Sequence, residues 1–153
     1  AGYIALWCGI ANGAEQILIP EKFDNNYDKL IEEIKNNRAS GMTHQIIVNA
    51  EGIGHSYGLA KKIEEATGIE TRATILGHLQ RGGSPTARDR VYASVMGAYA
   101  IDCIEKGKKN RLIGYKEGHV YDVDIEEAFQ MTKSIDDYEY EVAGILGTRC
   151  EYK

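Results

Sequence analysis

The segment that most constrains the fold is Gln45 to Ala50, a short run rich in isoleucine and valine that is apolar on both of its sides. Successive side chains of a β-strand point to opposite faces of the sheet. A strand that is apolar on both sides therefore has to be covered on both faces, as happens in parallel sheets whose crossover helices lie above and below. The segment predicts a buried strand of an α/β sheet.

Segments with strand and helix patterns alternate along the rest of the chain. We expect strands over 17–19, 45–50, 71–76, 111–116 and 119–121, and helices over 3–10, 27–39, 56–66, 85–106, 125–129 and 138–146. This alternation predicts an α/β chain with a Rossmann-like layered fold, in which a mostly parallel sheet is flanked by helices. In the longest helix, Ser84 is the expected N-cap and Pro85 the first helical residue.

The composition excludes several classes of protein. The 153 residues carry a formal net charge of -5, which argues against nucleic acid as the main partner. No apolar run approaches the roughly 20 residues of a membrane span, so no membrane association is expected. Cys8, Cys103 and Cys150 are odd in number and lack a C-x-x-C spacing, which indicates neither a disulfide framework nor a zinc site. Reduced thiols and a cytoplasmic location are the expectation.

Arginine is concentrated in one window of this acidic chain, residues 70–90. Four of the seven arginines lie there together with one histidine: Arg72, His78, Arg81, Arg88 and Arg90. The guanidinium fork suits phosphate and carboxylate oxygens. The run Gly82-Gly83-Ser84-Pro85 allows backbone N–H groups to approach a ligand near a helix start. The window indicates an anion site, and the alternative is a set of solvated arginines beside an ordinary turn.

Three groups of residues are candidates for a site. Ligands of open α/β sheets bind beyond the carboxyl ends of the strands, where Glu51 and Gly52 follow the central strand. A carboxylate there can accept hydrogen bonds from sugar hydroxyls, although the residues alone favour a helix cap or a solvated side chain. His78 and Arg81 can donate to phosphate oxygens. Arg72 begins its predicted strand, so it lies at the opposite end from His78, and one pocket in one chain cannot easily use both.

The run T-R-A-T-I-L-G-H-L-Q-R-G-G-S-P-T-A-R-D-R resembles the sugar-phosphate signature of the 6-phosphofructokinase family. The resemblance also includes A-G-Y-I-A-L-W, I-L-I-P-E, V-N-A-E-G-I-G and D-I-E-E-A. It is strongest between Glu51 and Asp89 and fades after about Met131. Arg88 departs from the pattern, because the family more often has an apolar aromatic residue there. The fold that the resemblance implies is phosphofructokinase-like, and this chain holds part of it.

The resemblance implies a substrate site for fructose 6-phosphate. The matching residues are Glu51, Arg72, His78, Leu79, Gln80 and Arg81. In similar enzymes Glu51, His78 and Arg81 match residues that hold the sugar phosphate within their own subunit. The arginine that matches Arg72 reaches the sugar phosphate of a neighbouring subunit. A homo-oligomer follows, and the family is typically a homotetramer.

The resemblance also implies an effector site. Gly13, Ala14 and Glu15 resemble the part that holds an ADP phosphate and its magnesium ion, and the segment from Ser40 to His44 matches a second part. Regulated bacterial members have Arg and Lys where this chain has Ser40 and Met42. Because two cations are missing from a site for a polyanion, we expect weak or absent regulation by ADP or phosphoenolpyruvate.

Several runs of the family are missing from the sequence. It has no G-x-x-x-x-G-K-[ST] loop. It also lacks the Gly-Gly, Gly-Asp-Gly-Ser and Thr-Ile-Asp-x-Asp runs that the family uses for ATP, magnesium and the catalytic Asp, all of which lie upstream in family members. We therefore expect no catalytic residue and no firm metal ligand in this chain, and no kinase activity from it alone.

The expected protein is the C-terminal portion of a 6-phosphofructokinase, a glycolytic transferase that forms fructose 1,6-bisphosphate with ATP and Mg²⁺. Residues 1–131 would form a sugar-phosphate-binding α/β domain that is truncated at its N-terminal side, and residues 132–153 a C-terminal helical tail. Three alternatives stay open. The first is the same portion of a pyrophosphate-dependent phosphofructokinase, and the second is a non-catalytic sugar-phosphate-binding or regulatory subunit. The third is a Rossmann-like domain with no retained ligand.

Overall fold

The structure is a computed structural model that describes residues 1–147, and these residues group into two compact units. The first unit combines Ala1–Leu76 with the segment that begins at Ser134. The second unit is Gly77–Lys133. The division expected between residues 131 and 132 stays a prediction.

Within residues 1–147, the first unit contains two strands and four helices. In chain order they are α1 (Tyr3–Asn12), β1 (Gln16–Leu18), α2 (Tyr27–Ala39), β2 (Ile47–Asn49), α3 (Ser56–Thr67) and α6 (Asp137–Leu146). Strands β1 and β2 pair in parallel, with Ile17 opposite Val48. The second unit contains a short 3₁₀ helix (Gly77–Arg81), α4 (Ala87–Glu105), β3 (Arg111–Lys116), β4 (His119–Asp124) and α5 (Ile125–Gln130). The predicted α/β class with a parallel pair of strands is confirmed.

Strand β1 separates two apolar clusters in the first unit. Because side chains alternate along a strand, Ile17 and the following Ile19 point to one face and Leu18 to the other. The first cluster is Leu6, Ala14, Ile17, Ile19, Ala50, Ile135 and Ala143. The second cluster is Leu18, Leu30, Ile31, Ile34, Leu59 and Ile63. Helices α1 and α6 thus cover one face of the strand pair, and α2 and α3 cover the other, which is the layered arrangement predicted.

Helix α1 lies unusually close to β1 because it has glycine on the contacting side. A Cβ atom added to Gly9 would lie 2.3 Å from Cδ1 of Ile17, and one added to Gly2 would lie 2.4 Å from Cβ of Ile19. Helix α6 joins the same layer through Trp7, whose Nε1 donates to Glu139 at 3.0 Å. These contacts fix the position of the segment that leaves β1.

Several helix ends follow from local sequence and are confirmed. Helix α1 ends at Gly13, which has a φ of 64°, and α3 ends at Gly68, with a φ of 69°. Both glycines adopt the left-handed conformation that favours a residue without Cβ. Helix α2 begins after Asn26, whose side chain accepts a hydrogen bond from the backbone N–H of Lys29 at 3.0 Å. Asp124 caps α5 through the N–H of Glu126.

Two expectations about elements are wrong. Residues 71–76 do not form a strand, because the segment has no ladder partner among the described residues. Helix α4 begins after Thr86 and not after Ser84. Thr86 accepts from the N–H of Asp89, and the Asp89 carboxylate accepts from the N–H of Thr86, so the two residues form a reciprocal capping box. This box satisfies more backbone donors than a Ser84 cap would.

Helix α4, with 19 residues, is the longest helix of the described chain. Its Tyr92 side chain stacks on Tyr115 of β3, and its Tyr99 side chain donates to Asp122 of β4, so the helix lies against the antiparallel hairpin. None of the helices within residues 1–147 combines the length and the apolar content that crossing a membrane requires.

The Asp122 side chain connects β4 to neighbouring elements of the second unit. Its carboxylate accepts from Lys108 Nζ at 2.8 Å, from Tyr99 Oη at 2.9 Å and from Arg111 Nε at 2.7 Å. The Asp122 side chain is only 6% exposed. These hydrogen bonds, that from Lys108 foremost, lower the pKa of Asp122 from 3.8 to about 2. The ionised carboxylate is therefore the form that the fold stabilises.

We predict that Asp122 makes the stability of this unit depend on pH. A carboxyl group whose pKa is lower in the folded state stabilises the fold above its unfolded pKa, and this contribution is lost as pH falls from about 4 to about 2. Asp122→Asn should lower the melting temperature at pH 6. The difference in melting temperature between the variant and the parent protein should become smaller as pH approaches 2. Thermal unfolding across this range measures both, with the exposed Asp102→Asn as control. A difference in melting temperature that does not change with pH would contradict the role of the Asp122 carboxylate.

Candidate functional site

The predicted phosphate-binding residues form a 3₁₀ helix, Gly77–Arg81. A 3₁₀ helix has three residues per turn, so His78 and Arg81 lie above one another on the same side, roughly 6 Å apart along the axis. Gly77 and Gly82 flank them with φ values of 54° and 87°. The N–H of Gly82 closes the turn on the carbonyl of Leu79 at 3.0 Å. The local backbone therefore brings an imidazole and a guanidinium together on one face.

The side chains of this 3₁₀ helix are available for a ligand. His78, Gln80 and Arg81 are exposed, and Leu79 is 78% exposed. Within residues 1–147, no hydrogen bond or ion pair engages the side chains of His78 or Arg81. A guanidinium that has no internal carboxylate partner keeps its full capacity to bind a phosphate.

Glu51 lies in the turn that follows β2, and its side chain is exposed. Asn49, the last residue of β2, shapes this turn by donating from Nδ2 to the carbonyl of Gly54 at 3.0 Å and to Ser56 Oγ at 2.8 Å. A Cβ added to Gly52 would lie 2.5 Å from Cγ of Pro20, so only glycine fits between the turn and the end of β1. The role of Asn49 was not predicted from the sequence, where an amide at the end of an apolar run was the only signal.

Arg72 lies at the other end of β2 from Glu51. It lines a cavity of about 290 Å³ together with Arg38 and His44, which precede the strand. Its Nε and Nη2 donate to Glu70 Oε1 at 2.9 and 2.6 Å. Arg72 therefore lies near the residues that precede β2, whereas Glu51 follows the strand. The prediction that Arg72 belongs to another pocket stays a prediction, and the strand over residues 71–76 from which it was argued does not form.

The predicted effector residues already make structural hydrogen bonds. The N–H groups of Gly13 and Ala14 donate to the carbonyls of Ile10 and Gly9, at 3.2 and 2.9 Å, and close the end of α1. Ala14 is 2% exposed. The Glu15 carboxylate accepts from the N–H of Ile46 at 2.6 Å and so aligns the two strands.

His44 is exposed, and its Nδ1 lies 3.4 Å from Thr43 Oγ1. Its segment is adjacent to that of Glu15 through the Ile46 contact. The effector role of Gly13, Ala14, Glu15 and His44 stays a prediction.

The candidate site residues are divided between the two units. Glu51 and Arg72 belong to the first unit, and the residues 78–81 to the second. Among the described residues, no three His, Cys, Asp or Glu side chains cluster as a metal site would require.

Arg88, where the sequence departs from the expected pattern, has a defined role in the second unit. Its Nε donates to Tyr92 Oη at 3.2 Å, and its guanidinium lies 5.2 Å from the centre of the Tyr92 ring. Tyr92 stacks on Tyr115 of β3, with ring centres 4.3 Å apart. Hydrogen bonds from Tyr115 and then Arg88 lower the pKa of Tyr92. Arginine thus extends an aromatic stack at the exposed start of α4.

Comparison with known proteins decides the family. The sequence model of the family described as "Phosphofructokinase" matches residues 1–104, which is more than half of the chain. The chain belongs to the phosphofructokinase family. The match contains the Glu51 turn, Arg72, the 3₁₀ helix and nearly all of α4.

Curated relatives of this phosphofructokinase-family chain include ATP-dependent 6-phosphofructokinase 1 of Clostridium perfringens, which is 54% identical over 146 residues. The ATP-dependent 6-phosphofructokinase of Clostridium botulinum strain Loch Maree is 50% identical over 145 residues. Each match covers 95% of this chain and 45% of the relative. The chain therefore spans about half the length of the curated relatives it matches, and it corresponds to their C-terminal half.

A solved structure supports the fold. The phosphofructokinase of Saccharomyces cerevisiae superimposes with a TM-score of 0.72, at 24% sequence identity, over 100% of this chain and 24% of that one. The predicted phosphofructokinase-like α/β fold is confirmed by this superposition.

We predict that Asn49 positions the Glu51 turn. Asn49→Ala removes two hydrogen bonds from a half-buried amide and should reduce the free energy of unfolding by about 1–2 kcal/mol. It should also speed amide hydrogen exchange in residues 50–56. Denaturant unfolding and exchange mass spectrometry measure the two effects. Asn36→Ala, on the exposed side of α2, is the control. If both variants behave alike, Asn49 does not hold the turn.

Proposed function

We propose that this chain is the fructose 6-phosphate-binding portion of an ATP-dependent 6-phosphofructokinase. The observation that carries the proposal is the exposed face of His78 and Arg81, which lies within the family match and has no partner among the described residues. The parent reaction would transfer the γ-phosphoryl group of ATP to the 1-hydroxyl of fructose 6-phosphate, with release of ADP and a proton.

The two ends of the sugar phosphate need different chemistry. His78 and Arg81 would donate hydrogen bonds to the 6-phosphate, and Leu79 and Gln80 would line the same turn. Glu51 would accept hydrogen bonds from the sugar hydroxyls. It would not bind the 6-phosphate, because a carboxylate repels a phosphate dianion. Hydroxyl recognition by a carboxylate and phosphate recognition by cations thus suit a polyhydroxylated ligand with one anionic end.

Arg72 would serve the substrate of a neighbouring subunit in a homotetramer. Two observations support this assignment: its position at the far end of β2 from Glu51, and its exposure, which is 85% for the side chain. The Arg72–Glu70 pair is a surface ion pair of the kind worth about 0–1 kcal/mol. Exchanging Glu70 for a phosphate dianion would therefore cost little.

ATP is favoured over pyrophosphate as the donor by the names of the relatives, which are ATP-dependent enzymes. Mg²⁺ would accompany ATP, as phosphoryl transfer requires charge neutralisation between the phosphates. The enzyme would act in glycolysis in the cytoplasm. A regulatory subunit that binds the sugar phosphate without catalysis is the second candidate, because the exposed face of His78 and Arg81 suits binding with or without catalysis.

We predict that Arg81 contributes strongly to substrate affinity. Arg81→Ala in the assembled enzyme should raise the KM for fructose 6-phosphate by about 30-fold, because a hydrogen bond to a charged group is worth about 2 kcal/mol. Steady-state kinetics measure the change. Lys109→Ala removes an exposed cation from the same unit away from the 3₁₀ helix and should leave KM unchanged. Equal KM values for the Arg81 variant and the parent enzyme would remove Arg81 from the site.

We also predict that the 153-residue chain alone does not phosphorylate fructose 6-phosphate. The runs that the family uses for ATP and for the catalytic Asp are missing from the sequence. Phosphoryl transfer requires such groups to position the donor and to activate the attacking hydroxyl. A coupled assay for fructose 1,6-bisphosphate with ATP or pyrophosphate tests this, with an identically purified tag-only sample as blank. Turnover above that blank, with either donor, would refute the prediction.

Regulation by ADP is expected to be weak or absent. The N–H groups of Gly13 and Ala14 are engaged in closing α1, Glu15 holds Ile46, and Ser40 and Met42 supply no cation. Micromolar ADP should leave the fructose 6-phosphate saturation curve of the assembled enzyme where it is. A shifted curve would show that a functional effector site exists despite these contacts.

A further inference from the structure

The turn that carries Glu51 has a backbone conformation that most residues avoid. It leaves β2 after Asn49 and enters α3 at Ser56. Gly54 has a φ of 72°, and the next residue, His55, has a φ of 53°. This left-handed conformation is unfavourable for a residue that carries a Cβ atom. The His55 side chain makes no capping hydrogen bond to α3, so the conformation brings no gain at the helix start.

The amide of Asn49 holds the turn in this conformation. Its Nδ2 donates to the carbonyl of Gly54 at 3.0 Å and to Ser56 Oγ at 2.8 Å. These two acceptors belong to the residues immediately before and after His55. One amide nitrogen therefore fixes the chain on both sides of the strained residue.

The oxygen of the same amide has no partner. Within residues 1–147, Asn49 Oδ1 is buried and accepts no hydrogen bond. A buried acceptor without a donor reduces stability, and this loss offsets part of what the two Nδ2 bonds contribute. Leucine has nearly the same shape and would fill the space without an unpartnered oxygen. Folding alone therefore does not account for an amide at this position.

The turn that Asn49 shapes presents Glu51, whose side chain is exposed. On its other side the turn is held by Gly52, where an added Cβ would lie 2.5 Å from Cγ of Pro20. A carboxylate on a backbone fixed in this way binds a ligand without a further loss of conformational freedom. We infer that Asn49 is a positioning residue, which acts on fructose 6-phosphate through Glu51. The inference rests on the proposed function and extends it to a residue that does not touch the substrate.

Leucine separates positioning from folding. Asn49→Leu in the assembled enzyme should raise the KM for fructose 6-phosphate about tenfold and leave kcat nearly unchanged, because the Glu51 contact is one of binding. The melting temperature should stay close to that of the parent protein, since leucine fills the space of the amide. A purely structural role would instead lower the melting temperature and leave the KM of the folded enzyme unchanged.

A second variant tests the same contact with a smaller change of volume. Ser56→Ala removes one of the two acceptors of Asn49 Nδ2 and should raise KM by about threefold, because one of two hydrogen bonds remains. It serves as the test if Asn49→Leu does not fold. The control is Asn37→Leu, which removes another half-buried amide of the first unit, bonded to Gln45 Oε1 at 3.0 Å. It should leave KM unchanged.

A double-mutant cycle with Glu51→Ala shows whether Asn49 acts through Glu51. The double variant should have the KM of Glu51→Ala alone, because a carboxylate that is absent cannot be positioned. Multiplied KM effects would overturn the inference. If Glu51→Ala raises KM but neither Asn49→Leu nor Ser56→Ala does, the inference fails and the proposed function stands. If Glu51→Ala leaves KM unchanged, the proposed role of Glu51 is wrong, and the inference fails with it.

Discussion

The burial of β1 on both faces is the constraint on which the first unit depends. Ile19, just after the strand, is fully buried on one side, and Leu18 is 3% exposed on the other. A three-residue strand offers few ladder hydrogen bonds, so its position depends on the helices that cover it. Gly9 and Gly2 let α1 approach closely enough to do so. Because β2 pairs in parallel with β1, the position of β1 also determines the position of the turn that carries Glu51.

Much of this unit could be predicted because its signals are local. Gly13, Asn26 and Gly68 mark helix ends by their own conformational or hydrogen-bonding chemistry. Strand formation over residues 71–76 could not be predicted in the same way, because a strand exists only when a neighbouring strand pairs with it. The start of α4 had two competing local signals. Ser84-Pro85 was one, and the reciprocal bonds of Thr86 and Asp89 determined the outcome.

The candidate site shows the same division between local and distant information. The sequence window around His78 and Arg81 predicted an anion site, and the structure adds that a 3₁₀ helix aligns the two side chains. The part played by Asn49 depends on Gly54 and Ser56 folding back onto the strand end. No spacing rule encodes such a contact. Arg88 likewise acquires its role only from Tyr92 and from a ring on a different element.

The three-residue pitch of the turn at 77–81 also limits how this loop can change in length. Inserting or deleting one residue between His78 and Arg81 would rotate one side chain by about 120° relative to the other. Rewinding the same residues as an α-helix would separate them by about 60°. Substitutions at Leu79 and Gln80 leave the angle unchanged, whereas a change in their number does not. The two intervening positions therefore act as a spacer whose length is fixed more tightly than its composition.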